Sequence, residues 1–120
     1  MNFNDNLPIY IQIMEYIKKQ IVTGKLKGGE KLPSVRELSS ELKVNPNTIQ
    51  RSYAELEREN LVFTQRGMGT FVTEDAEMIK GLKRNMAAHV LNSFLKEMKA
   101  IGFSHNDIIE LINESVKEEE

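Results

Sequence analysis

A chain of 120 residues has room for one ordinary domain, or for a module of about 70 residues with a smaller appendage, and excludes two large domains. With 40% hydrophobic and 28% charged residues it has the make-up of a folding globular chain, and the absence of cysteine excludes disulfides, thiolate metal sites and cysteine nucleophiles. The net charge of -2 hides an asymmetry: up to Thr73 ten basic residues stand against eight acidic ones, and beyond it six stand against ten, so the acidity belongs to the tail.

The opening residues lack the basic and apolar regions of a signal peptide, and no apolar run approaches the ~20 residues of a membrane span. The expected location is the cytoplasm, with no membrane partner. Leu7-Pro8 opens a first helix whose apolar face is Tyr10, Ile13, Met14, Ile17 and Ile21, ending near Thr23-Gly24. Residues 25–32 read as a polar, glycine-bearing connector. Ser34 with Glu37 three positions on is a capping-box pattern, and Val35, Leu38 and Leu42 give a short second helix. Asn45 as cap and Pro46 at the first helical position restart the chain almost at once, which is helix-turn-helix spacing. The third helix turns Ile49, Tyr53 and Leu56 inward, and Asn60 stands where a left-handed residue ends it.

Residues 61–65 and 70–73 are β-prone and joined by Arg66-Gly67-Met68-Gly69, the pattern of a hairpin. Residues 75–101 predict a long helix with Ile79, Leu82, Met86, Val90, Phe94, Met98 and Ile101 on one stripe, widened by Ala87, Leu91 and Leu95. Gly102 stops it. Ser104 with Asp107 caps a last helix bearing Ile108, Ile109, Leu111, Ile112 and Val116, and residues 117–120 are expected to fray. The expected fold is mainly α with a small β-hairpin: a winged helix-turn-helix in residues 1–73, then a short two-helix dimerisation tail in residues 74–120.

A helix-turn-helix presents the first turns of its third helix to base edges in the major groove. With Ile49, Tyr53 and Leu56 inside, the outer residues there are Asn45, Asn47, Thr48, Gln50 and Arg51. Arg51 can grip a guanine with two hydrogen bonds, Asn47 or Gln50 can read adenine, and Thr48 can hold a phosphate or touch a thymine methyl. Taken alone, the same residues also make an ordinary solvated helix face. The loop of Arg66, Gly67, Met68 and Gly69 places a guanidinium on a turn thin enough for a minor groove, although many such loops only reverse the chain. Its position directly after a helix-turn-helix gives it weight.

Three segments in order, residues 29–38, residues 45–53 with Leu56-Glu57, and residues 66–72, resemble the DNA-binding domain of GntR-family regulators. The Asn-Pro-Asn-Thr form and brief helical tail resemble the YtrA-type branch. The resemblance spans residues 7–73, with Ser39 in place of a common Ala and Asn60 in place of a common Gly. It implies a DNA contact for Arg36, to base or phosphate, at the start of the second helix, recognition-helix contacts for Thr48 and Arg51, and a wing tip at Gly67 and Gly69. It also implies dimers on roughly palindromic double-stranded operators, usually repressing transcription.

The apolar stripe of the tail is too wide for one short partner helix, which predicts a homodimer through Leu82, Met86, Val90, Leu91, Phe94, Leu95 and Met98. Packing of that stripe on the protomer's own winged helix is the alternative. His89 and His105 lack metal-site spacing, so no metal, cofactor or catalytic group is expected. Met86 and Met98 mark where an apolar small-molecule effector would be sought. The function expected is that of a sequence-specific, dimeric transcription regulator. A winged-helix module that binds protein is a second class, and an enzyme would need a convergent reactive set that the sequence does not supply.

Overall fold

The computed structural model describes residues 1–119. Helices α1 (Ile9–Val22), α2 (Val35–Leu42) and α3 (Pro46–Arg58) are followed by strands β1 (Val62–Gln65) and β2 (Gly69–Val72), then by helices α4 (Ala76–Ala100) and α5 (His105–Glu119). The chain divides into two compact units, Met1–Lys83 and Arg84–Glu120.

In the first unit α3 is the hub, packed against α1, α2 and β1. Its heptad-like spacing places Ile49, Ser52, Tyr53 and Leu56 on one buried face. Around them close Ile13, Met14, Ile17 and Ile21 of α1, Leu38 of α2, Leu32, and Leu61, Val62 and Val72 of the hairpin. Ser52 is the buried polar residue, and its Oγ lies 3.0 Å from both the Tyr10 and Thr48 carbonyls. The Tyr53 hydroxyl donates to the Pro33 carbonyl at 2.7 Å, fastening the entry of α2 to α3.

Local chemistry sets the ends of these helices. Ser34 and Glu37 form the reciprocal capping box, with Glu37 N–H donating to Ser34 Oγ at 3.0 Å and Ser34 N–H to Glu37 Oε1 at 2.9 Å. Of these, the Ser34 N–H donated to Oε1 is the main contact that holds the Glu37 carboxyl below its usual pKa. The turn into α3 takes Lys43 at φ 56°, a left-handed position that carries no glycine, and Asn45 Oδ1 then accepts Asn47 N–H at 2.8 Å. Asn60 ends α3 at φ 64°. There Leu61 N–H reaches the Leu56 carbonyl at 3.0 Å and Asn60 N–H the Glu57 carbonyl at 2.9 Å, the paired bonds of a Schellman close.

The hairpin pairs Val62 with Val72, Phe63 with Phe71, Thr64 with Thr70 and Gln65 with Gly69, so its loop is three residues, one fewer than expected. The expected connector is more ordered than its composition indicates. Gly29 N–H donates to the Val72 carbonyl, Val72 N–H to the Glu30 carbonyl and Leu32 N–H to the Thr70 carbonyl, at 2.8–2.9 Å, and Lys31 bridges Phe71. The connector therefore runs along the outer edge of β2 and is tied to it by one isolated bridge, while the sheet itself keeps two strands.

Asp75 Oδ1 caps α4 by accepting the Glu77 and Met78 amides at 3.0 and 3.2 Å. Met78, Ile79 and Leu82 pack on the winged-helix core, so the first unit runs to Lys83 and takes in the first two turns of α4. Leu82, expected at a dimer interface, thus gives part of its surface to its own protomer.

In the second unit, Gly102 at φ 99° closes α4, with Phe103 N–H bonded to the Met98 carbonyl and Gly102 N–H to the Lys99 carbonyl. Ser104 and Asp107 cap α5 reciprocally at 3.2 and 3.3 Å. Residues 117–119 are helical rather than frayed, and Glu120 lies outside the described residues. Among the described residues no helix is long and apolar enough to cross a membrane.

Two predictions follow from the hub. Asn60→Val should destabilise the protein by ~1–2 kcal/mol because a β-branched residue resists the left-handed region, while Asn60→Gly should change it by less than ~0.5 kcal/mol; equal losses in urea melts would show that conformation is not what Asn60 supplies. Burial, then the charges of Glu37 and Glu41, pushes the Tyr53 phenol well above its ordinary pKa. An acid raised in this way keeps its full stabilising effect below its unfolded value of about 10 and loses it as pH rises beyond that. Tyr53→Phe should therefore cost ~1–2 kcal/mol near pH 8 and visibly less near pH 11. A gap of the same size at both pH values would contradict the assignment.

Candidate nucleic-acid interface

Burial of Ile49, Tyr53 and Leu56 decides which α3 side chains face outward. Asn45, Asn47, Gln50 and Arg51 are exposed and Thr48 is half-buried. The sequence treats these five as one surface, but the structure divides them. Asn45, Asn47, Thr48 and Arg51 line a shallow depression together with Ile9 and Tyr10 of α1. Gln50 lies instead in a groove shared with Lys31, Ser34, Val35, Ala54, Glu57, Thr64, Gly69 and Thr70, between α3 and the wing. Asn45 Oδ1 is committed to its cap.

The Arg51 guanidinium lies over the Tyr10 ring, Cζ 3.7 Å from the ring centre. The two ion pairs found among the described residues, Lys18 with Glu59 at 3.0 Å and Arg58 with Glu55 at 3.4 Å, leave out Arg36, Arg51 and Arg66. Arg36 is exposed on the first turn of α2, beside the capping box.

At the wing, Arg66, Gly67 and Met68 are exposed, Met68 at 61%. Gly67 at φ 78° turns the loop. Gly69 at φ 125° has the Lys31 side chain across it, so close that an added Cβ would meet Lys31 Cε at 2.6 Å. The hairpin is stiffened by the stacked rings of Phe63 and Phe71, 5.6 Å apart, and tied to α3 by Thr64 Oγ1 donating to Glu57 at 2.9 Å.

Sequence reasoning missed two members of this surface. Tyr10 packs against the core as the period of α1 predicts, but nothing local shows that its ring also lies beside the start of α3. Lys31 falls in the stretch read as a polar, glycine-bearing connector. The signal was present: Leu32 is buried, and in an extended segment its neighbour must then point the other way. Among the described residues no cluster of His, Cys, Asp or Glu is placed to hold a metal ion.

Residues 9–72 match the family described as bacterial regulatory proteins, gntR family. The chain is 46% identical over 108 residues to the uncharacterized HTH-type transcriptional regulator YhcF of Bacillus subtilis, covering 90% of this chain and 89% of that protein. It is 38% identical over 113 residues to the HTH-type transcriptional repressor YtrA of the same organism, with 92% and 83% covered. Among solved structures, a GntR family transcriptional regulator from Listeria monocytogenes superposes with TM-score 0.88 at 45% identity, over 93% of this chain and 98% of that one. The AraR DNA-binding domain, solved in complex with operator ORR3, superposes with TM-score 0.56 at 32% identity over 61% and 88%. A helix-turn-helix with an exposed polar recognition face, a β-hairpin wing and these relatives place the chain in the GntR family, in its YtrA-like group, as a DNA-binding transcription regulator and not an enzyme.

Proposed function

We propose that the chain is a cytoplasmic homodimeric repressor that occupies a palindromic operator, each protomer setting the start of α3 into one of two successive major grooves. The observation that carries this reading is the division of α3 into a buried apolar face and an outer face bearing Asn47, Gln50 and Arg51. In this arrangement Arg51 reads a guanine, Asn47 and Gln50 read neighbouring bases, and Thr48 and Arg36 engage the strand backbone. Arg66, Gly67, Met68 and Gly69 form the wing tip at the minor groove, and Asn45 holds the first turn of α3 in shape. The relative named a repressor and the AraR domain seen on its operator support the same reading.

Dimerisation is assigned to the tail, residues 74–120 as a functional segment. Helix α4 has 25 residues and none is buried within the single chain. Val90 is 68% exposed and Leu91 51%, with Met86, Phe94, Leu95 and Met98 half-buried around them. Covering such a continuous apolar surface with a second copy removes it from water at about 25 cal/mol per Å². Leu82, partly covered already, sits at the edge of that interface.

Arg51→Ala should cost ~1–3 kcal/mol on a duplex selected from a randomised pool and relax the preference at one base pair in each half-site. Equal weakening on all sequences would reassign Arg51 to the phosphates. The tail makes a separate prediction: the protein should sediment as a dimer at micromolar concentration, and Val90→Glu with Leu91→Glu should yield folded monomers that bind the same duplex at least about tenfold more weakly. A wild-type monomer under those conditions would remove the tail from the reading.

A further inference from the structure

We propose that Tyr10, on α1, is the residue that positions Arg51 for base reading, an inference that rests on the DNA-reading role proposed for Arg51. A long side chain leaving an exposed helix face samples many rotamers, and ordering them opposes binding. Here the guanidinium is held over an aromatic face, 3.7 Å from the ring centre. Contact with a π face spends none of the guanidinium N–H donors on a hydrogen-bond acceptor, whereas a carboxylate partner would occupy them. Neither described ion pair includes Arg51, so the stack is the contact that orients it.

The backbone that carries the ring is fixed in two places. Ser52, the residue after Arg51, is fully buried with its Oγ 3.0 Å from the Tyr10 carbonyl, which locks the backbone beneath the ring to the backbone beneath the arginine. Gln12, two residues after Tyr10, exchanges hydrogen bonds with Asn4 at 2.6 and 2.7 Å and so holds the segment leading into α1. Asn47 and Thr48 line the same depression as the stacked pair. A base edge entering there meets an arginine already aimed.

The test uses the full chain and a duplex that the wild-type protein enriches from a randomised pool. Tyr10→Phe, which keeps the π face, should bind it within about twofold of wild type. Tyr10→Leu should lose about three- to fivefold per half-site on that duplex and under twofold on a scrambled one. In an Arg51→Ala background Tyr10→Leu should cost nothing further. Without DNA, the Arg51 side-chain protons should show an upfield ring-current shift in wild type and Tyr10→Phe, and this reading of the stack stands even if Tyr10→Leu does not fold. Wild-type affinity in Tyr10→Leu, equal losses on both duplexes, an undiminished loss in the Arg51→Ala background, or an unshifted Arg51 each overturns the positioning role alone. Failure to enrich any duplex overturns the DNA-reading role and this inference with it.

Discussion

The buried face of α3 is the constraint on which the surface depends. Successive α-helical residues are rotated by about 100°, so fixing which side chains lie inside fixes which lie outside, and a slip of one position would send Arg51 toward the core. Ile49 and Leu56 are 0% exposed, and burying side chains of that size contributes roughly 1.5–3 kcal/mol each. Apolar burial has little directional preference. The directional part comes from two hydroxyl groups, Ser52 against the Tyr10 carbonyl and Tyr53 against the Pro33 carbonyl, which set the rotation of α3 against α1 and against the entry of α2. Both groups are satisfied, so burying them carries no large desolvation penalty.

The wing is coupled to the same hub by different means. Leu61, Val62 and Val72 belong to the core, so the base of the hairpin cannot move without opening it. Farther out, the hydrogen bonds of residues 29–32 to β2 and the bond from Thr64 to Glu57 replace hydrophobic packing. The exposed tip then carries Arg66 and Met68 on a short loop whose freedom is confined to three residues. Lys31 crosses Gly69 and adds a cation at the root of that loop, at a distance where an added Cβ would make the end of the lysine shift.

Local signals made much of this legible beforehand. The capping box at Ser34, the Asn45-Pro46 restart, the left-handed Asn60 and the Gly102 stop are each written in a few adjacent residues, and each occurs where the sequence places it. What stayed hidden depends on partners distant in the chain. The ordering of residues 29–32 exists because β2 offers an edge forty residues later, and their polar, glycine-bearing composition carries no signal of that pairing. The stack of Arg51 on Tyr10 joins two helices, and Tyr10 satisfies the period of α1 whether its ring is covered by leucine or by a guanidinium. The stripe along α4 shows which residues are apolar but not what covers them. That is why Met78, Ile79 and Leu82 join the first unit although the pattern runs on unbroken.

The weak net charge of the chain is compatible with a nucleic-acid surface once the positions of the charges are considered. A phosphate backbone responds to the charges within a Debye length, about 8–10 Å at ordinary ionic strength, and not to the sum over the molecule. Lys18 and Arg58 are neutralised locally by Glu59 and Glu55 at the far end of α3, where they belong to the scaffold. Arg36, Arg51, Arg66 and Lys31 are exposed on the elements that carry the recognition face and the wing, and the two described ion pairs draw on none of them. Ten of the eighteen acidic residues lie beyond Thr73, outside the helix-turn-helix and wing. In the proposed reading, electrostatic attraction and apolar association thereby belong to different parts of the sequence, so that changes in the tail would alter assembly while leaving the cations of the first unit in place.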